Sequence, residues 1–431
     1  MAPPTCPTKW LPSLKVRQLQ RLASLTGILS SGTKPVLIER LGQVINGEPR
    51  CAAQNASQEE SLINPKKPAS ILSIDMGIRN LAFAHLVVPP GQAGELKSPI
   101  LNAWYRLSVS SFVANLASEK QVLDFHMGEE MKPQNKIAKG SRSTALDILE
   151  AGQCDGKGKE KEKKKEKEKE SFAPKLYATH AYTLMSSLLA TYKPTHVLIE
   201  RQRFRSGGGS SVQEWTIRVG VFEGMLYAVL RAIQLERKGD VANIVVEGVE
   251  PQRVMKYWMD EEEEEIDLQP KGKKTEVLST KKISRSMTPN RRKQIKIDRI
   301  GKLLSSFTGS DASGIGLADL GDHIDIQFGD DRRMHEVVKA YLKKWGKKTK
   351  RTNAKTRGGS TRPTASSTSS SSISSDKASH FAADDLQTLD IEKLDDLADC
   401  LLQAMTWLEW QNTRQKIARC GLEAVSSKIG N

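Results

Sequence analysis

The chain has 431 residues, with Lys+Arg 66 against Asp+Glu 51, a net charge of +15, and 38% hydrophobic against 27% charged residues. That length allows two or three domains and at least one well-buried core. Only 5% of residues are aromatic and the mean hydropathy is −0.47, so part of the chain is expected to stay unpacked. No apolar run approaches the ~20 residues that span a bilayer, which excludes an integral membrane protein, and no secretory apolar segment stands near the start. Five scattered cysteines (Cys6, Cys51, Cys154, Cys400, Cys420) without a Cys-x-x-Cys argue against a disulfide scaffold or zinc ribbon and suit a reducing compartment. A pI near 9.4 points to a polyanionic partner, either nucleic acid or an acidic membrane surface.

In chain order, residues 1–46 read as a small basic helical unit. Leu14, Leu19, Leu22 and Leu25 recur at roughly helical spacing, with Lys15, Arg17 and Arg21 on other faces. Ser30–Pro35 breaks that pattern, and Thr33 is placed to cap a second helix whose first turn tolerates Pro35. Residues 47–69 read as a linker. From Ser70 the character changes. Ser70–Asp75 is an apolar run ending in a carboxylate, Leu81–Val88 predicts a second strand and Leu101–Ser110 a third. Lys175–Tyr192 predicts an amphipathic helix, and His196–Glu200 is a strand that again ends in a carboxylate. Trp215, Val219, Phe222, Leu226, Val229 and Ile233 line one face of a long helix. Ala242–Val249 predicts a fifth strand and Leu394–Trp410 a final helix. This order calls for a mixed five-stranded sheet with helices on its faces, in an α/β unit over residues 70–415. Three stretches, near 150–172, 260–288 and 346–382, read as disordered insertions. They hold the Lys/Glu tract Lys157–Glu170, the acidic run Glu261–Glu265, and a basic patch followed by a Ser/Thr tract.

Three acidic placements carry the chemistry. Asp75 and Glu200 each end an apolar strand, and Asp395, Asp396 and Asp399 open the last helix with i,i+3 and i,i+4 spacing. A carboxylate in such a place needs a cation or a hydrogen-bond partner. Simpler readings exist for each: a turn cap at Asp75, a salt bridge from Glu200 to Arg201 or Lys193, and helix-dipole complementation at Asp395–Asp399. Together, acids from two strand ends and one helix start can converge on one sheet edge. A cluster of hard oxygen ligands is how Mg²⁺ is held, with Mn²⁺ a possible substitute, and two such ions about 4 Å apart serve phosphodiester hydrolysis. Ser206–Ser210 is glycine-rich but lacks the Lys-Ser/Thr of a phosphate loop, so it reads as a flexible loop. Arg201, Arg203 and Arg205 alternate just past Glu200, and an extended chain points them the same way, as phosphate contacts or as ordinary surface charge. Arg291, Arg292, Lys293 and Lys296 open a further basic helix that could bind phosphate or simply be solvated.

Ser73–Ala82, Ile199–Arg205 and Lys393–Asp399, in that order, resemble the fungal mitochondrial Holliday-junction resolvases, relatives of bacterial RuvC with a ribonuclease H-like fold. The likeness covers about residues 70–260 and 290–412. The N-terminal Leu14–Leu41 stretch, with Gly32-Thr33-Lys34 between its helices, resembles a SAP-type DNA-binding hairpin. The resemblance implies a metal-dependent homodimer that cuts symmetrically placed strands of four-way DNA junctions in the mitochondrial matrix or nucleoid. It implies Asp75, Glu200, Asp396 and Asp399 as metal-holding catalytic acids, with Asp395 an alternative to Asp396. It implies Arg201, Arg203, Arg205, Lys15, Arg17 and Lys34 as DNA contacts, and the helix around Trp215–Ile233 as the dimer interface, although its apolar stripe equally suits packing on its own sheet. The acid-free basic start also suits a matrix-targeting presequence, but prolines at 3, 4, 7 and 12 spoil an early amphipathic helix, so location rests mainly on the resemblance. Two other functions use the same residues: a ribonuclease H-like nuclease on RNA or RNA–DNA hybrid, and a non-catalytic DNA scaffold whose carboxylates are structural.

Overall fold

A computed structural model of the chain describes residues 8–46, 67–91, 96–116, 172–202, 214–236, 239–268, 288–306, 324–357, 391 and 393–430. The period-2 apolar segments form the sheet. Strands β1 (Ala69–Asp75), β2 (Leu81–Val88) and β3 (Ile100–Leu107) make an antiparallel meander. Strand β4 (His196–Glu200) pairs parallel to β1, and β5 (Val245–Val249) parallel to β4. A two-residue strand, β6 (Gln327–Phe328), pairs parallel to the outer edge of β3. The order β5-β4-β1-β2-β3-β6 makes the mixed sheet expected from the sequence, with one strand more than the five expected. Two residues are too short to show a period, so β6 left no pattern to read.

Helices cover both faces. On one, α3 (Pro174–Tyr192) packs beneath α4 (Glu214–Glu236), and Tyr192 stacks against Phe83 and His85 of β2. On the other lies α8 (Asp395–Cys420), flanked by the hairpin α1 (Val16–Leu25) and α2 (Lys34–Ile45), by α5 (Pro251–Leu268), and by α6 (Pro289–Ser305) with α7 (Arg332–Arg357). From Leu397 to Ile417, buried residues occupy every side of α8. A helix covered all round is a core helix, and α8 is the spine of its layer.

Two segments assigned to insertions are helical instead. Helix α5 runs through the Glu261–Glu265 run to Leu268, and α7 runs to Arg357, past the expected break near 346. Glutamate and lysine are good helix formers, so a charge run that follows an anchored turn propagates it. The remaining parts of the three proposed insertions, including Lys157–Glu170, lie outside the described residues.

The hairpin is bolted to the spine. Gly27, just after α1, has φ +70°, and a Cβ there would stand 2.3 Å from the Trp410 ring of α8. The Arg414 Nε–H donates to the Thr26 carbonyl at 2.8 Å, and Arg253 Nη1 donates to Gly27 O at 3.1 Å. Thr33 occupies the N-cap position of α2 as expected, yet its hydroxyl makes no cap bond; Arg40 instead holds the inter-helix loop through the carbonyls of Leu29 and Ser31.

Gly27 is therefore required twice, for its left-handed backbone and for contact with the indole. Gly27→Ala is expected to lower the unfolding free energy by about 2–4 kcal/mol, combining left-handed strain with overpacking. Urea unfolding followed by tryptophan fluorescence measures it; a change under about 1 kcal/mol would contradict this account of the docking.

Candidate acidic site

Strand alternation and a set of polar ties decide which side chains meet. On β1, Ser73 and Asp75 face α8; on β3, Trp104 and Arg106 do the same. The Ser73 hydroxyl donates to Cys400 O at 2.8 Å and accepts from Gln403 Nε2 at 3.0 Å. The Trp104 indole donates to Leu397 O at 2.9 Å. Two residues further along each strand, Asp75 therefore arrives beside Asp399, and Arg106 beside Asp396. On β4, His196 stacks on Trp407 of α8, so Glu200, also on that face, reaches the same end. Gly77 makes the sharp turn after Asp75; a Cβ there would stand 2.7 Å from the Asn80 carbonyl oxygen.

The result is a group of carboxylates at the end of the sheet. Asp75 is 9% exposed and hydrogen-bonds the Glu200 carboxyl. Burial, then the Glu200, Asp399 and Asp396 charges, push the Asp75 pKa well above the usual carboxylate range. Asp399 is pushed up to about 6, first by burial and then by Glu200, with Lys296 opposing. Burial and Asp395 raise Asp396, with Arg106 opposing. Asp395 differs: burial would raise it, but its bond to Lys293 outweighs this and holds it below the ordinary value. Asp75 feels Asp396 and Asp399 on α8, and Asp395 is turned toward Lys293. Both alternatives left open by spacing are ion-paired, Asp395 with Lys293 and Asp396 with Arg106.

Cations already sit among these acids. Lys296 Nζ lies 2.7 Å from Asp399 Oδ1, Lys293 Nζ 2.7 Å from Asp395 Oδ2, and Arg106 Nε 3.1 Å from Asp396 Oδ2. Arg106 also donates to Asn80 Oδ1, tying the turn after β1 to α8. Among the described residues no three His, Cys, Asp or Glu side chains are grouped as a ready metal site. The donor set itself fits a hard divalent cation: oxygen ligands only, with Asp75 buried against Glu200. Arg106 and the half-buried Lys296 were not singled out as acid partners in the sequence. Arg106 sits two residues past Trp104 in a strand, an offset that says which face it takes only once the sheet is known.

The basic residues divide. Arg201 is exposed beside the site and, with Gln202, Tyr227, Gly248 and Arg253, lines a cleft of about 730 Å³ between α4, β5 and the hairpin. Arg203 and Arg205 lie outside the described residues. Lys15 and Arg17 are exposed on α1 and Lys34 is half-buried at the start of α2. The hairpin meets α8 near Trp410 and Arg414, and the acids stand some fifteen residues earlier on that helix, about 20 Å away at 1.5 Å per residue. These three residues are thus not brought to the acidic site.

Comparison with known proteins gives three findings. The family model described as mitochondrial resolvase Ydc2 / RNA splicing MRS1 matches residues 71–417. A curated relative, the mitochondrial cruciform cutting endonuclease 1 of Schizosaccharomyces pombe, is 24% identical over 251 residues, covering 57% of this chain and 67% of the relative. Among solved structures, the yeast mitochondrial Holliday junction resolvase Ydc2 aligns at 18% identity and TM-score 0.43 over 93% of this chain and 95% of that one. Thermus thermophilus RuvC aligns at 14% and 0.21 over 43% and 67%.

A raised carboxylate binds protons more tightly in the folded than in the unfolded state. Its contribution is fully present below the unfolded pKa and is lost as pH rises through the folded one. The metal-free protein should therefore lose stability as pH rises from about 4 through about 6 on account of Asp399, and further as Asp75 ionises. Asp75→Asn should raise Tm at pH 7 in EDTA by several degrees and flatten this dependence. Asp399→Asn should not, because it strands half-buried Lys296. Differential scanning calorimetry between pH 4 and 8 checks both; an Asp75→Asn Tm below that of the parent at pH 7 would refute the assigned repulsion.

Proposed function

The chain belongs to the family described as mitochondrial resolvase Ydc2 / RNA splicing MRS1, and from that premise we propose that it is a mitochondrial, metal-dependent endonuclease that resolves four-way DNA junctions. The observation that carries this reading is the convergence of Asp75, Glu200, Asp396 and Asp399 at one end of the sheet. A non-catalytic nucleic-acid binder, including one serving RNA splicing, gains nothing from gathering mutually repelling acids, whereas a phosphodiester hydrolase needs them. Oxygen atoms of these four residues would hold Mg²⁺ or Mn²⁺, which when bound supplies an activated water and stabilises the departing oxygen. The chain's own residues do the positioning. β1 and β4 deliver two acids from adjacent parallel strands, α8 delivers two more one turn apart, and Ser73, Gln403 and Trp104 lock strands to helix. Lys296 and Arg106 neutralise the α8 acids in the metal-free protein. Hydrolysis in which water attacks phosphorus and the P–O3′ bond breaks leaves 5′-phosphate and 3′-hydroxyl ends. Arg201, Arg203 and Arg205, following directly on Glu200, are assigned to the phosphates beside the cut, and Lys15, Arg17 and Lys34 to a more distant DNA arm.

Paired cuts call for two copies. Helix α4 buries Val219, Phe222, Leu226 and Ile233 against its own layer but leaves Ile217 and Val221, on its opposite side, 47% and 46% exposed. Gly220 and Gly224 stand on the same helix with open space where a Cβ would be. This face suits close approach of the same helix from a second copy.

With Mg²⁺, a synthetic four-way junction should receive paired nicks, and EDTA should stop them. Asp75→Ala should cut at least about a thousandfold more slowly while binding the junction within a few-fold of the parent. Preferential cutting of an RNA–DNA hybrid run alongside would keep the site and replace the substrate; bound but uncut junction would leave only the scaffold reading.

Charge placed on the exposed face of α4 should separate the copies. Val221→Lys should shift the sedimenting species to the monomer mass and turn paired cuts into single nicks. A parent protein that already sediments as a monomer would remove the dimer from this reading.

A further inference from the structure

Helix α7 is a basic rod with one apolar seam. Met334, Val337, Val338 and Tyr341 are buried, Trp345 packs over Gly301 of α6, and its indole donates to Asp298 Oδ1 at 2.9 Å. The Tyr341 hydroxyl donates to Ile297 O at 3.2 Å, so α6 and α7 move as one piece. On the opposite side, Lys339, Lys343 and Lys347 are exposed at successive i,i+4 positions. The single acid of α7, Glu336, is taken by Arg332 at 3.3 Å. Like charges four residues apart destabilise a helix, so this row carries a local electrostatic cost. The same tension marks the start of α6, where Arg291 and Arg292 are exposed in a first turn that holds no acid, although that helix end favours negative charge. On the same helix, the next residue Lys293 and then Lys296 pair with Asp395 and Asp399. The far half of α7 is fastened near the same place, because Lys344 donates to the carbonyl of Ile391, shortly before α8 begins.

We propose that the outward face of α7 (Lys339, Lys343, Lys347), continued by Arg291 and Arg292 of α6, is a docking surface for the phosphate backbone of a DNA arm leading to the acidic site. The nature of the polyanion rests on the function proposed above. A polyanion turns both electrostatic penalties into favourable contacts. Three lysines over eight residues cover about 12 Å of helix, and a DNA strand presents a phosphate about every 3.4 Å, so each lysine can meet its own phosphate. The regular phosphate spacing and the neighbouring acidic site favour DNA over an anionic membrane. The surface also stands away from the hairpin, at the other end of α8.

The test uses full-length protein carrying Asp75→Asn, in EDTA, so that no DNA is cut. Lys339, Lys343 and Lys347 are changed together to Gln, and in a second variant to Arg. Fluorescence anisotropy then follows a labelled four-way junction and a linear duplex across salt, with vesicles of phosphatidylcholine and phosphatidylserine as a third probe. Three lost phosphate contacts should lower the slope of log K against log salt by about 2–3 and weaken binding to both DNAs roughly uniformly, by at least about tenfold at low salt. The Arg variant should restore both, and the Gln variant should melt no lower than its parent. An unchanged slope overturns the proposal. So does lost vesicle binding with DNA binding intact, and so does weakened binding that tracks a lowered melting temperature and is not restored by Arg. Should protein without the Asp75 change leave junctions uncut in Mg²⁺ while the slope still falls, the nuclease reading fails and this surface stands.

Discussion

Carboxylates held together, Asp75 buried and the others half-buried, set the terms for the rest of this molecule. Burial and mutual repulsion oppose their ionisation, so each must be held by something other than its own preference. Here the holding is indirect. Ser73 bonds to the α8 backbone and to Gln403, and Trp104 bonds to the Leu397 carbonyl. The acids and Arg106 then follow, two residues along their strands or one residue along the helix. The core contacts are made by neutral groups, and the charged groups inherit their positions. Lys296, Arg106 and Lys293 complete the balance from α6 and β3.

This arrangement makes α8 the common reference for regions far apart in sequence. Its first turns carry the acids, its middle carries Trp407 and Thr406, which bond to Glu247 of β5 and to Trp258 of α5, and its later turns carry Trp410 and Arg414, which seat the hairpin. A helix buried on all sides cannot shift along its axis without breaking several of these bonds at once. The N-terminal hairpin therefore helps to fix the acidic end without touching it. Arg253 adds a second tie from α5 to the same turn of the hairpin.

Much of this was legible in the sequence, for identifiable reasons. An apolar strand that stops on a carboxylate is unusual, and it occurs at both Asp75 and Glu200. The acids of α8 stood out because three of them open an otherwise apolar helix. The sequence could not say that Asp395 turns to Lys293 while Asp396 turns to Arg106, because that depends on α6 and β3, which are remote in sequence. Helix α7 was a different kind of miss. Met334, Val337, Val338, Tyr341 and Trp345 follow helical spacing closely, but the lysine-rich run and the Ser/Thr tract beyond it hid a pattern that was present. The hairpin helices were legible from their leucines. Their attachment was not, since a glycine under a tryptophan nearly four hundred residues away leaves no local sign.

The polar ties also answer the question of register. In a sheet, slipping one strand by one residue turns every side chain to the opposite face. β1 is apolar at almost every position, so hydrophobicity alone barely distinguishes the two registers: Ile71 would exchange with Leu72, and Asp75 with Ile74, at little cost in apolar area. A slipped β1 would aim Asp75 into the aromatic layer of Tyr192 and Phe83 and leave α8 without its partner. Ser73 prevents this. In the observed register its hydroxyl meets Cys400 O and Gln403 Nε2; in the slipped one all three groups would be buried without partners, at about 1–3 kcal/mol each. On the far face, Ser70 makes the complementary choice through His85 Nε2 at 2.7 Å. Two serines in an otherwise apolar strand thus decide which way Asp75 faces, and through it whether the acidic site exists at all.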